Sequence, residues 1–203
     1  MAAYVAFLRG MNVGGHRITN DELSAHVAAL GFADVRTFRA SGNVIFAAPD
    51  HDAPGEIART LEDGLVAALG YAVPVFVRDA TAVHAIAAHQ PFPGSVVSAS
   101  PGKVQVAFLH DRPGPEAQAS ALAVGTADDR LAIAGTELYW LPSRGVGRSE
   151  LDLKALDAAL GAMTVRTMGT VRQLAGKHLG PPIPVERPGS PGIGHSAGRS
   201  TGG

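Results

Sequence analysis

Two rhythms of apolar and polar positions run through the chain. Short unbroken apolar runs such as Tyr4-Val5-Ala6-Phe7-Leu8 predict strands covered on both faces. Between them lie stretches with apolar residues every three or four positions. Leu23, Val27 and Leu30 follow Thr19-Asn20-Asp21-Glu22, a capping box that starts a helix which Gly31 stops. Ile57, Leu61, Leu65 and Leu69 mark a second helix from about Pro54, ended by Gly70. Asp34–Ala40 and Asn43–Ala47, separated by Ser41-Gly42, predict a tight hairpin, and 73–77 a further strand. Pro74 puts that strand at a sheet edge or places the proline at its start. The resulting order is βαββαβ.

The same order then recurs. Val5-Ala6-Phe7-Leu8 returns as Val106-Ala107-Phe108-Leu109, the first strand of a second unit written from Lys103. A helix from near Pro115 to Val124 follows, then a hairpin of Arg130–Ala134 and Glu137–Leu141 around Gly135-Thr136. Ser149 is expected to cap a helix carrying Leu151, Leu153, Leu156 and Leu160, and Met163–Arg166 is the last strand. The first strands are 101 positions apart and the hairpin glycines, Gly42 and Gly135, 93. The first unit is therefore longer between strand and hairpin, where its Gly-rich stretch lies. Each unit closes with an extra helix, Asp79–His89 and about Met168–His178.

This predicts an α+β protein of duplicated ferredoxin-like βαββαβ units. Residues 1–90 form the first half, 91–102 a linker and 103–179 the second half. Residues 180–203, rich in Pro, Gly and Ser, form an expected disordered tail. Since both faces of strands such as 4–8 and 138–141 are apolar, the other half or the extra helices must cover the second face.

Composition narrows the chemistry. There is no cysteine among 203 residues, which excludes disulfides, thiolate metal sites and thiol nucleophiles. Net charge is −1, with 17 basic and 18 acidic residues, so no overall field gathers nucleic acid or anionic lipid, and any anion site is local. Met1–Leu8 is too short for a signal or a membrane span. A cytoplasmic protein without membrane association is expected.

Candidate sites lie in loops. Gly10-Met11-Asn12-Val13-Gly14-Gly15-His16-Arg17 joins a strand to a capped helix, a setting in which backbone amides hold anions. His16 and Arg17 stand where a Walker A loop requires Lys and Ser or Thr, and the G-x-G-x-x-G spacing is absent. Arg144-Gly145-Val146-Gly147-Arg148-Ser149 offers a second flexible loop with guanidinium donors. Ser41-Gly42-Asn43 offers a hydroxyl and an amide, without a G-x-S-x-G elbow. No histidine set has metal-ligand spacing, so no metal and no cofactor are expected.

Three separated segments, Val5–Gly15, Ser41–Phe46 and Gly147-Arg148-Ser149, resemble a bacterial family designated domain of unknown function 1697. The resemblance covers about residues 3 to 178 and implies a duplicated ferredoxin-like protein of the cytoplasm, with no established activity. Near the C-terminus the family pattern reads Thr-x-Arg-Asn-Trp-Asn-Thr-Val. Here Thr164–Val171 keeps that frame with Thr167, Met168 and Gly169 in place of Asn-Trp-Asn.

The leading expectation is a binding module in which Arg9, Gly10, Asn12, Gly14, Gly15, Ser41, Asn43, Arg148, Ser149 and Arg166 converge on a small anionic ligand such as a nucleotide or phosphorylated metabolite. The alternatives are an enzyme acting on such a ligand through His16 or Ser41, an RNA-binding module of ferredoxin-like order, and a protein-interaction module.

Overall fold

In the computed structural model, residues 1–11, 17–39 and 42–180 are described. The predicted tail from 181 onward lies outside them. The first unit runs β1 (Ala2–Leu8), α1 (Asn20–Ala29), β2 (Ala33–Thr37), β3 (Asn43–Ala48), α2 (Pro54–Leu69) and β4 (Val75–Asp79), and ends with α3 (Ala80–Ala88). A short α4 (Gly94–Ala99) follows. The second unit runs β5 (Gln105–Leu109), α5 (Pro115–Ala123), β6 (Asp129–Ala134), β7 (Glu137–Pro142), α6 (Leu153–Leu160) and β8 (Met163–Thr167), and ends with α7 (Met168–His178). Two antiparallel sheets result, ordered β2-β3-β1-β4 and β6-β7-β5-β8. Both have the ferredoxin-like order.

Alternation along the strands explains the layers. Tyr4, Ala6 and Leu8 face Leu23 and Val27 of α1 and Ile57, Leu61 and Leu65 of α2. Val5 and Phe7 face the other way. They join Val106, Phe108 and Tyr139 of the second sheet, and Val83 of α3 and Val171 of α7, in one shared core. In the second unit Ala107, Leu138 and Trp140 face Ala121 and Leu156 of the outer helices. Both expected covers for the second sheet face are therefore present, the other half and the extra helices. At the centre the Phe7 and Phe108 rings stack with centroids 3.9 Å apart at 12°. Each such buried ring contributes about 1.5–3 kcal/mol from burial alone.

Local signals hold at several helix ends. The Thr19 hydroxyl accepts from the Glu22 amide while the Glu22 carboxylate accepts from the Thr19 amide, completing the predicted box. Pro54 opens α2 and Gly70 closes it at φ +78°. Pro74 directly precedes β4, which is an edge strand.

Three expectations are corrected. Strand β2 ends at Thr37, so its hairpin loop is the five residues Phe38–Gly42, not two. A bulge between Ala33 and Arg36, and positive φ at Asp34 (50°) and Arg39 (61°), take up chain that a regular ladder would have paired. Ser149 does not cap α6. The Asp152 carboxylate accepts from the Lys154 and Ala155 amides instead, and Ser149 follows a single 3-10 turn, Val146–Arg148. Strand β4 begins two residues later than expected, because Pro74 cannot donate to the ladder. The linker 91–102 contains α4.

Candidate functional site

The two units meet through a pair of arginines at matching positions. Arg78 of β4 lies opposite Val5, and Arg166 of β8 lies opposite Val106. Each follows a valine near the end of its unit's last strand, and each crosses to the other unit. Arg78 donates to the carbonyl of Leu109 at 2.8 Å and of Thr136 at 3.1 Å, while Arg166 donates to Leu8 at 2.8 Å and Gly42 at 3.2 Å. These carbonyls close the first strand and the hairpin of the opposite unit, and the hairpin carbonyls also accept from the amides of Leu109 and Leu8. The guanidinium carbons also lie over the central rings, Arg78 5.5 Å from the Phe108 centroid and Arg166 6.0 Å from that of Phe7.

The Nε partners differ. Arg78 donates to the Glu137 carboxylate at 2.7 Å, an ion pair whose side chains are 10% and 8% exposed. Arg166 donates to the Asn43 carboxamide oxygen at 2.6 Å. Asn43 is fully buried and its amide donates to the Phe38 carbonyl. The remaining Arg166 donors go to Thr164 and to the Val165 carbonyl, so all five N–H groups meet neutral oxygens. Burial pulls its pKa down to about 10, and the group stays cationic at neutral pH.

A second pair repeats the pattern. Arg9, just after β1, grips Asp157 of α6 with two bonds of 2.6 and 3.3 Å. His110, just after β5, stands 3.9 Å from Glu62 of α2 and packs on Phe76. Among the described charged groups crossing between units, the β1 end carries Arg9 and Arg166 against Asp157. The β5 end carries Arg78 against Glu137 and Glu62. Arg39, in the enlarged hairpin, adds another cation at the β1 end, bonded to neutral Gln173 at 2.8 Å.

The enlarged loops lie at the same end. Eleven residues separate β1 from α1, against five between β5 and α5. The hairpins differ likewise, five residues against two. The Leu8 amide donates to the Gly42 carbonyl, which ties the loop after β1 to the hairpin. Gly42 is fixed there on two counts: its φ is +67°, and a Cβ would come within 3.2 Å of Leu8.

Of the predicted site residues, Arg9, Gly10, Asn43 and Arg166 are thus gathered at the end of β1. Asn12, Gly14, Gly15, His16 and Ser41 lie outside the described residues. Arg148 and Ser149 are elsewhere. They follow β7, whose Pro142 pairs with Asp129 beyond the Gln105 end of β5, whereas Leu8 is bonded by Thr164, level with Phe108. At about 3.4 Å per residue, that is roughly 17 Å along the sheet, with two strand spacings across it. Ser149 bonds Asp129, and exposed Arg144 stands 3.6 Å from Asp128. Sequence reasoning missed Arg78, Glu137 and Asp157. The repeated Val-Arg of 77–78 and 165–166, charged residues inside apolar strands, was the available signal.

The inward faces of both sheets lie in the shared core, so the surface that an RNA-recognition module uses for stacking bases is interior here. Among the described residues no group of three or more His, Asp or Glu side chains could hold a metal ion. No described helix is long and apolar enough to cross a membrane.

Comparison with curated proteins gives no match. Among solved structures, the conserved bacterial protein SP0830 from Streptococcus pneumoniae is similar, with a TM-score of 0.64 at 17% identity, covering 87% of this chain and 99% of that one. At that identity the likeness concerns the fold. Residues 1–139 match the family model described as protein of unknown function (DUF1697), a span that contains β1, the hairpin with Asn43, and Arg78 with Glu137. The chain therefore belongs to the DUF1697 family.

Proposed function

We propose that this is a cytoplasmic binding protein that takes a small anionic ligand, a nucleotide or phosphorylated metabolite, at the end of β1. One observation carries the reading: among the described residues the part-buried Arg166 meets only neutral oxygens where its counterpart Arg78 has a carboxylate. A cation largely withdrawn from water without a counter-ion is costly, and an anion bound nearby offsets that cost. Arg166 acts through its field, since its donors are already used. Direct contacts fall to Arg9, whose side chain is 39% exposed, and to the main chain of the Gly10–Gly15 loop. Arg148 and Ser149 are not part of this site.

The test is a thermal-shift panel of nucleotides, sugar phosphates, inorganic phosphate and neutral sugars on the full chain. A ligand present at a hundred times its dissociation constant should stabilise by about 2.7 kcal/mol. Stabilisation by the phosphorylated members alone, weakened in Arg9→Gln, is expected. A flat response across the panel, or an equal response to neutral sugars, overturns the reading.

A further inference from the structure

We propose a second binding site, independent of the first, in the crevice between the linker helix α4 and helix α7, for a small carboxylate with an apolar body. The crevice encloses about 570 Å³, within the roughly 300–1,000 Å³ of small-molecule sites. Phe92, Val97, Val104 and Met168 supply apolar walls, and Lys103 and Arg172 stand in the same lining. No acidic residue lines it. The floor continues into the shared core, where Phe92 is 9% and Met168 4% exposed.

Lys103 and Arg172 are both exposed, and among the described residues neither meets a carboxylate. Arg172 uses only Nε, donating to the Ala87 carbonyl at 3.2 Å, which anchors the side chain and leaves its planar terminal nitrogens for an acceptor. Two cations with apolar walls and no internal anion complement a head group of negative charge on a hydrocarbon or aryl body. Gly169 keeps the mouth open. A Cβ there would meet nothing closer than the Thr167 hydroxyl at 3.8 Å, so the backbone tolerates a side chain that would fill the crevice. Because α4 belongs to the linker and Lys103, Met168 and Arg172 to the second unit, an occupant would bridge the two.

Calorimetric titration of the full chain with decanoate, kept below its micellar concentration, tests the site, with decanol and acetate as the uncharged and tail-less probes. Decanoate should bind saturably, and acetate or decanol at least about tenfold more weakly, the loss of one charged or one apolar contribution. Lys103→Gln combined with Arg172→Gln should weaken decanoate about tenfold, and Gly169→Leu should abolish binding, with circular dichroism and melting temperature unchanged in both. Arg9→Gln should leave the affinity intact, which separates this site from the one at β1. Decanoate affinity unmoved by the crevice variants, decanol binding as tightly as decanoate, or no binding at all overturns the proposal.

Discussion

The β1 end and the β5 end of this molecule share an arginine clamp and differ in its counter-charge and in the length of their loops. Both place an arginine from the opposite unit on a strand-end carbonyl, a hairpin carbonyl and its own preceding carbonyl, with distances that agree within about a tenth of an ångström. At the β5 end the fourth partner is Glu137, the loop is short, and the charge is closed internally. At the β1 end the fourth partner is Asn43, the loop and hairpin are enlarged, and the charge is open. Duplication explains the shared frame. What the comparison teaches is that one end serves as a structural clamp, and that its copy keeps the clamp geometry with the counter-charge removed.

The largest effect expected from breaking this comparison is at the closed end. Glu137→Ala leaves Arg78 buried without its ion, which should cost about 3–5 kcal/mol in denaturant unfolding. Asn43→Ala removes a neutral acceptor from a group already cationic and uncompensated, and should cost about 1–3 kcal/mol. Equal losses in the two variants would erase the distinction drawn between the ends.

A titration sharpens the comparison further. Tyr139 occupies the position that Ile45 occupies in the first unit, and burial pushes its phenol well above the ordinary value, with Glu137 adding to the shift. The folded state keeps the proton that the unfolded state gives up above about pH 10, so stability is full below that pH and is lost above it. The loss should be about 1 kcal/mol per pH unit, and Tyr139→Phe should remove this component from the alkaline limb of the stability curve. The smallest effect belongs to the surface pair. Arg9→Gln should cost under about 1 kcal/mol, and less in high salt, because the Arg9–Asp157 pair is more than a third exposed at the arginine.

Much of this architecture was legible in the residues. The alternation Val5/Phe7 against Tyr4/Ala6/Leu8 called for two covered faces, and the repeat of that segment at Val106–Leu109 supplied the second unit that does the covering. The capping box at Thr19 and the glycine at 70 fixed helix ends because those interactions are local. What escaped was set by tertiary contacts. Thr37 ends β2 because a bulge and a left-handed Arg39 redirect the chain, which pair spacing does not reveal. Ser149 looks like a cap, but its hydroxyl donates to Asp129, and the Asp152 carboxylate holds the helix start. At the candidate site, Arg9, Asn43 and Arg166 are individually ordinary. Only the packing of one unit on the other brings them to one end, and the same packing leaves Arg148 at another.

The most direct test of the open charge is to close it. Asn43→Asp gives Arg166 the carboxylate that Arg78 already has, and the quantity to measure is the increment in melting temperature produced by phosphorylated ligands in wild type and variant at equal ligand concentration. A clear increment in wild type that shrinks or vanishes in Asn43→Asp is the predicted result. An increment of the same size in both proteins would contradict it.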